Sequence, residues 1–140
     1  MTVESWTLAT ATATERAALD LAAGAKVWRL SRSRLHGGEP MLREVLSLPS
    51  DRFSGFEELK EIPNNVYRLY SERWGITITA AAEKLKAVLA DAEDARVLGC
   101  PSGTPLLEIA RTAYDINKRP VEYRVSRCLT EKMHYASNLS

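Results

Sequence analysis

Three consecutive pieces decide the fold: Lys26-Val-Trp-Arg-Leu-Ser-Arg-Ser-Arg-Leu35, the turn cluster His36-Gly-Gly-Glu-Pro40, and Met41-Leu-Arg-Glu-Val-Leu-Ser-Leu48. The first and third read as strands, and the glycines between them make the pair a hairpin. Alternate strand residues share a face, so Trp28, Leu30, Arg32 and Arg34 point the same way. That face begins as core and turns cationic without changing side. Residues two apart on a strand are roughly 6.6 Å apart. At an effective dielectric near 20, two guanidinium charges at that spacing repel by about 2.5 kcal/mol, falling to about 0.6 kcal/mol in water. An inward-facing version of this surface therefore needs an anion against it. A three-residue Gly37-Gly38-Glu39 loop places His36 opposite Pro40, Arg34 opposite Leu42 and Arg32 opposite Glu44. It also gathers Leu42, Leu46 and Leu48 beside Trp28 and Leu30. A two-residue Gly37-Gly38 turn would put Glu44 on the other side, because a one-residue slip inverts the strand.

Outward from this hairpin, Val3 to Thr10 reads as a first strand and Glu15 to Ala23 as a helix stopped by Gly24. Beyond it, Phe56 to Ile62 reads as a short helix before Pro63. Val66 to Trp74 reads as a second helix, capped by Asn64 or Asn65 and ended by Gly75. Ile76 to Thr79 is expected to be a brief strand. Ala80 to Ala92 has the composition of a helix, with Ala81, Leu85, Val88, Leu89 and Ala92 on one stripe. Leu106 to Ile116 and Val121 to Leu129 read as two long strands, and His134 to Leu139 as a short last one. Hairpin pairs with intervening helices give an α+β class with a largely antiparallel sheet and helices packed on it. The chain has 140 residues, which suits a single domain spanning residues 1–140.

The later hairpin repeats the pattern of the first. A two-residue Asn117-Lys118 turn pairs Ala113 with Glu122 and Arg111 with Arg124. One face then carries Leu107, Ile109, Arg111, Glu122, Arg124, Ser126 and Cys128, apolar at one end and charged in the middle. Two readings of these faces are open: ordinary surface ion pairs, or a pocket for a small anionic or zwitterionic ligand. Every cation on both faces is arginine, whose planar fork matches carboxylate and phosphate geometry. This favours recognition.

Composition removes several alternatives. Nineteen Lys plus Arg against eighteen Asp plus Glu leave a net charge of +1, too little for non-specific nucleic-acid binding. No apolar run approaches the roughly 20 residues of a membrane span. The start Met1-Thr-Val-Glu-Ser-Trp6 lacks the regions of a signal peptide. Cys100 and Cys128 make no disulfide framework, and a cytoplasmic location is the expectation. His36, His134 and the cysteines lack metal-ligand spacing, and no Walker, Rossmann or Gly-x-Ser-x-Gly motif occurs, so no metal or cofactor is expected.

Arg32-Ser-Arg34, Gly38-Glu-Pro40 and Glu44 resemble the R-x-R…G-x-P…E hairpin of UTRA domains. Leu98-Gly-Cys-Pro101, Gly103-Thr-Pro-Leu-Leu107, Ile109-Ala-Arg111, Ala113-Tyr-Asp115 and Pro120-Val-Glu-Tyr123 continue the resemblance, which runs from about Val3 to Leu139. UTRA domains are the effector-sensing halves of HutC-like regulators of the GntR superfamily. The resemblance implies a chorismate-lyase-like fold, a small metabolite bound in a cleft on the sheet, and a homodimer. It also implies operator DNA bound only through an N-terminal winged helix-turn-helix, a module not seen in this chain. By position, the pocket arginines fall on Arg32 and Arg34 and the hairpin glutamate on Glu44. The glutamate of the Pro-Val-Glu motif falls on Glu122. A family Ser-Leu-Tyr helix start falls on Asn65-Val66-Tyr67, with asparagine in place of serine, which leaves an anion site there open but a sugar phosphate less favoured. Arg111, Arg124, Ser126 and Cys128 complete the expected ligand face. Arg124 stands where serine is common and adds a charge suited to a second carboxylate. Two alternatives accompany sensing: a chorismate-lyase-like enzyme acting on an aromatic carboxylate, and a pairing module with a degenerate pocket.

Overall fold

A computed structural model describes residues 2–131 and 133–139. The strands are β1 (Thr2–Thr10), β2 (Lys26–His36), β3 (Glu39–Pro49), β4 (Ile78–Leu89), β5 (Pro105–Asp115) and β6 (Pro120–Cys128), and the α-helices are α1 (Ala13–Leu19), α2 (Val66–Trp74) and α3 (Ala92–Leu98). The strands form a six-stranded sheet in the order β1-β2-β3-β6-β5-β4. Every pairing in it is antiparallel. The expected α+β architecture is what the chain adopts.

The sheet's two faces are covered differently. On the front, α2 and two 3-10 turns, Ser50–Arg52 and Phe56–Glu58, close the main core over Leu30, Leu46, Leu48, Phe53, Phe56, Val66, Tyr70, Ile76 and Val121. Trp28 and Trp74 sandwich Phe56, with ring centroids 5.4 and 5.7 Å away. On the back, α1 packs over Ala11, Leu19 and Val27, and α3 over Ala90, Leu98 and Leu106.

Both hairpins reach their register by an unexpected route. The first turn is tight: His36 pairs with Glu39, and Gly37 and Gly38 both sit at positive φ, as a two-residue I′ turn requires. A bulge at Met41 then restores Arg34 opposite Leu42 and Arg32 opposite Glu44. Glu44 thus stays on the front even though the loop is two residues and not three. The second hairpin closes through Lys118 in the left-handed region, with Asp115 donating to the Arg119 carbonyl at 2.9 Å. Its bulge, between Ala113 and Tyr114, likewise preserves Ala113 opposite Glu122 and Arg111 opposite Arg124.

Several expectations are corrected. Ala80 to Ala92 is not a helix; residues 78–89 form the edge strand β4, held by eleven pairings to β5. Helix propensity lost there because pairing with a long neighbour satisfies the backbone equally well. The helix comes later, as α3, where Asp91 and Asp94 form a capping box and Gly99 ends it in the left-handed region. Helix α1 starts and stops earlier than expected, ending on Asp20 rather than Gly24. Phe56 to Ile62 shrinks to the 3-10 turn, and residues 134–139 have no strand.

Candidate functional site

The registers lay the front residues out as a grid. One row across β3, β6, β5 and β4 reads Leu46, Arg124, Arg111, Glu83; the next reads Glu44, Ser126, Ile109, Leu85; the third reads Leu42, Cys128, Leu107, Ala87. Arg32 extends the Glu44 row and Arg34 the Leu42 row. Alternation on strands and antiparallel pairing therefore bring together charges as far as 92 residues apart in sequence, Arg32 and Arg124.

Arg32 is buried and donates to Glu44 Oε2 at 2.7 Å and to the Asn64 carbonyl at 3.3 Å. Its Nε is buried and has no hydrogen-bond partner among the described residues. Glu122 is fully buried and receives the Tyr70 hydroxyl at 2.5 Å and two bonds from Arg124, at 2.9 and 3.1 Å. Arg124 also lies 3.9 Å from Glu44 and 5.3 Å from the centroid of Tyr67. Burial works against its charge, but Glu122 and Glu44 outweigh that and raise its pKa. Tyr70 is pushed well above its ordinary value by burial and then by Glu122, so it remains a proton donor.

Arg111 donates to Glu83 at 2.8 Å and to the Tyr67 hydroxyl at 3.4 Å. Glu83 also accepts from the Tyr135 hydroxyl at 2.7 Å, which lowers its pKa. Cys128 is buried, and its thiol is pushed up to about 11 by burial and by Glu44. At that value the thiol stays protonated and unreactive near neutrality.

Among the predicted residues, the structure unites Arg32, Glu44, Tyr67, Arg111, Glu122, Arg124, Ser126 and Cys128 on one face. Arg34 lies on the same face but is exposed and has no ion pair with any described residue. Asn65 stands apart: its side chain caps α2 by accepting from the Arg68 backbone N–H at 3.2 Å. Arg124, read as a charge suited to a second carboxylate, is bonded to Glu122. Four partners escaped the sequence reading: Asn64, Tyr70, Glu83 and Tyr135. Glu83 was hidden by the helical reading of β4, and Tyr70 only by its distance from Glu122.

The cluster contains Arg32, Arg34, Arg111 and Arg124 against Glu44, Glu83 and Glu122, four cations to three carboxylates. The surplus charge resides in Arg34, and the surplus buried donor in Arg32 Nε. Both lie on β2, two residues apart.

Residues 1–134 match the model of the UTRA domain. The chain belongs to the UTRA domain family. Among solved structures, this UTRA domain is similar to the ligand-binding domain of a Bordetella bronchiseptica protein assigned to the GntR-family transcriptional regulators. They share 33% identity and a TM-score of 0.91 over 99% of this chain and 86% of that one. The effector domain of PhnF from Mycobacterium smegmatis gives 26% identity and a TM-score of 0.90, covering 99% of this chain and 85% of that one. Among curated relatives, the HTH-type transcriptional repressor PhnF of Mycolicibacterium smegmatis is 27% identical over 95% of this chain and 54% of its own length. The "Probable fructoselysine utilization operon transcriptional repressor" of Escherichia coli (strain K12) is 24% identical over 82% of this chain and 47% of its own. The UTRA domain therefore spans about half the length of these curated relatives.

Proposed function

We propose that this UTRA domain senses a small anionic metabolite in the cytoplasm and passes its occupancy to operator DNA. The effector classes that suit the site are a carboxylate, an amino-acid catabolite or a sugar phosphate. In this reading the domain pairs with a second copy, and a winged helix-turn-helix elsewhere in the full regulator contacts DNA. The ligand changes DNA affinity by favouring one arrangement of the pair, a coupling of about 1–3 kcal/mol in typical cases.

One observation carries the reading. The front-face arginines are nearly all matched by carboxylates, yet β2 keeps two unmet donors side by side: the buried Nε of Arg32 and the exposed guanidinium of Arg34. An unsatisfied buried N–H costs about 1–3 kcal/mol, so an acceptor arriving there regains that amount. Binding, and not turnover, also fits the relatives, which are repressors and effector domains.

A calorimetric screen of carboxylates, amino-acid catabolites and sugar phosphates tests this. A hit is expected to lose at least tenfold in affinity in Arg34→Ala. Hits indifferent to Arg34→Ala would refute the site, and turnover of chorismate would replace sensing with lyase chemistry.

A further inference from the structure

The grid shows a second compartment beside the unmet donors. A cavity of about 50 Å³ is lined by Leu107, Ile109 and Cys128 from the sheet and by Thr130, Met133, His134 and Tyr135 from the segment after β6. Its floor is continuous with the arginines. Cys128 and Leu107 lie in the row that begins with Arg34, and Ile109 lies in the row that begins with Arg32. Strands are about 4.8 Å apart, so Arg34 and Cys128, with only Leu42 between them, have backbones roughly 10 Å apart. A guanidinium at the end of its stem and this slot are thus within reach of one short molecule.

The slot is built for hydrocarbon. Cys128 is a protonated thiol at this site, and Leu107 and Ile109 present only carbon. In the roof, the Tyr135 hydroxyl is engaged elsewhere, bonded to Glu83, and Met133 adds an apolar side chain. Thr130 and His134 at the roof give a polyol two polar side chains at most, so the rest of a sugar's hydroxyls would enter without partners, at a cost comparable to an unmade hydrogen bond apiece.

We propose that the effector is a carboxylate with a short aliphatic arm, its anion on Arg34 and Arg32 Nε and its arm in the Leu107–Ile109–Cys128 slot. This rests on the anion-site reading above and narrows it from anions in general to short acyl carboxylates. The slot's size sets the arm: at about 50 Å³ it admits only a few carbons.

The experiment is a titration of this domain with straight-chain acids from acetate to hexanoate, followed by NMR, in wild type and Arg34→Ala. Burial of a methylene is worth about fourfold in affinity. Affinity is expected to climb by about that factor per carbon until the slot fills, then to level off. All members should weaken together in Arg34→Ala. Butyrate should also shift the methyl resonances of Leu107 and Ile109 more than equimolar acetate does. A series that binds through Arg34 with the same affinity at every length, and shifts those methyl resonances equally, overturns the slot and leaves the anion site standing. A series in which no member binds overturns the carboxylate assignment. If phosphate or sugar phosphates then bind through Arg34, the anion site itself survives.

Discussion

The two faces of the sheet use the same vocabulary, arginine against carboxylate, to opposite ends. On the back, Glu15 accepts from Arg29 twice, at 2.6 and 3.0 Å, as well as from Ser47 and from the Thr12 backbone. Asp94, fully buried, accepts from Arg43 and Arg127 at 2.7 Å each and from the Asp91 backbone at 3.0 Å. Each carboxylate is the N3 residue of a capping box, so the same group starts a helix and pins it to the sheet. Donors and acceptors there are closed on themselves. On the front, the network around Glu44 and Glu122 is as tightly bonded, yet donors are left over on β2. The difference teaches that an arginine's function is read from what its neighbours leave unmatched, not from its presence on a strand.

The largest expected effect breaks the front network from within. Glu122→Ala strands the Arg124 guanidinium and the Tyr70 hydroxyl in the interior, and should cost about 3–5 kcal/mol in a denaturant melt. A cost below about 1 kcal/mol would show that the front network is not structural.

Next comes the acid behaviour of the back face. Burial alone would raise the pKa of Glu15, but Arg29, Ser47 and Thr12 together bring it down to about 2 from 4.5. A carboxylate depressed in the folded state stabilises the fold above its unfolded pKa and loses that contribution as pH falls toward the folded value. About 3 kcal/mol present at neutral pH should therefore vanish between roughly pH 4.5 and 2. Glu15→Gln should flatten that limb of the stability profile; an unchanged limb would assign it to other acids.

Asp94→Asn should cost less, about 1–3 kcal/mol, because Arg43 and Arg127 are partly in water and relax when their partner is neutralised. Hydrogen exchange should show α3 loosening before the strands do. The smallest stability effect belongs to Arg34→Ala, within about 0.5 kcal/mol of wild type, since no described residue partners it. Its consequence should appear in binding alone.

Much of this contrast is visible in the residues themselves. Arg32 opposite Glu44 followed from keeping Leu42, Leu46 and Leu48 with Trp28 and Leu30. That apolar alignment outranked the turn, which proved shorter and was compensated by a bulge at Met41. The pairing of Arg111 with Arg124 survived a misread loop in the same manner. Burial of one face sets register more strongly than turn geometry does. The edge strand β4 shows the opposite case. Ala80 to Leu89 has the composition of a helix, is largely exposed on both sides, and is a strand through its pairing with β5. No local signal announces that, so Glu83 as the partner of Arg111 was out of reach. Helix α3 was likewise not expected from the sequence, although Asp91 and Asp94 box its start and Gly99 ends it. Tyr70 belongs to a third kind: its helix was legible, but not that its hydroxyl meets Glu122 across 52 residues.

The most direct test of the claim that β2 holds the unmatched donors sets the two faces side by side. Calorimetric titration of a carboxylate hit into wild type, Arg34→Ala and the back-face variant Arg29→Ala, each shown folded, gives the comparison. Kd is expected to rise at least tenfold for Arg34→Ala and to stay unchanged for Arg29→Ala. Equal affinity in all three proteins, or a loss confined to Arg29→Ala, would contradict it.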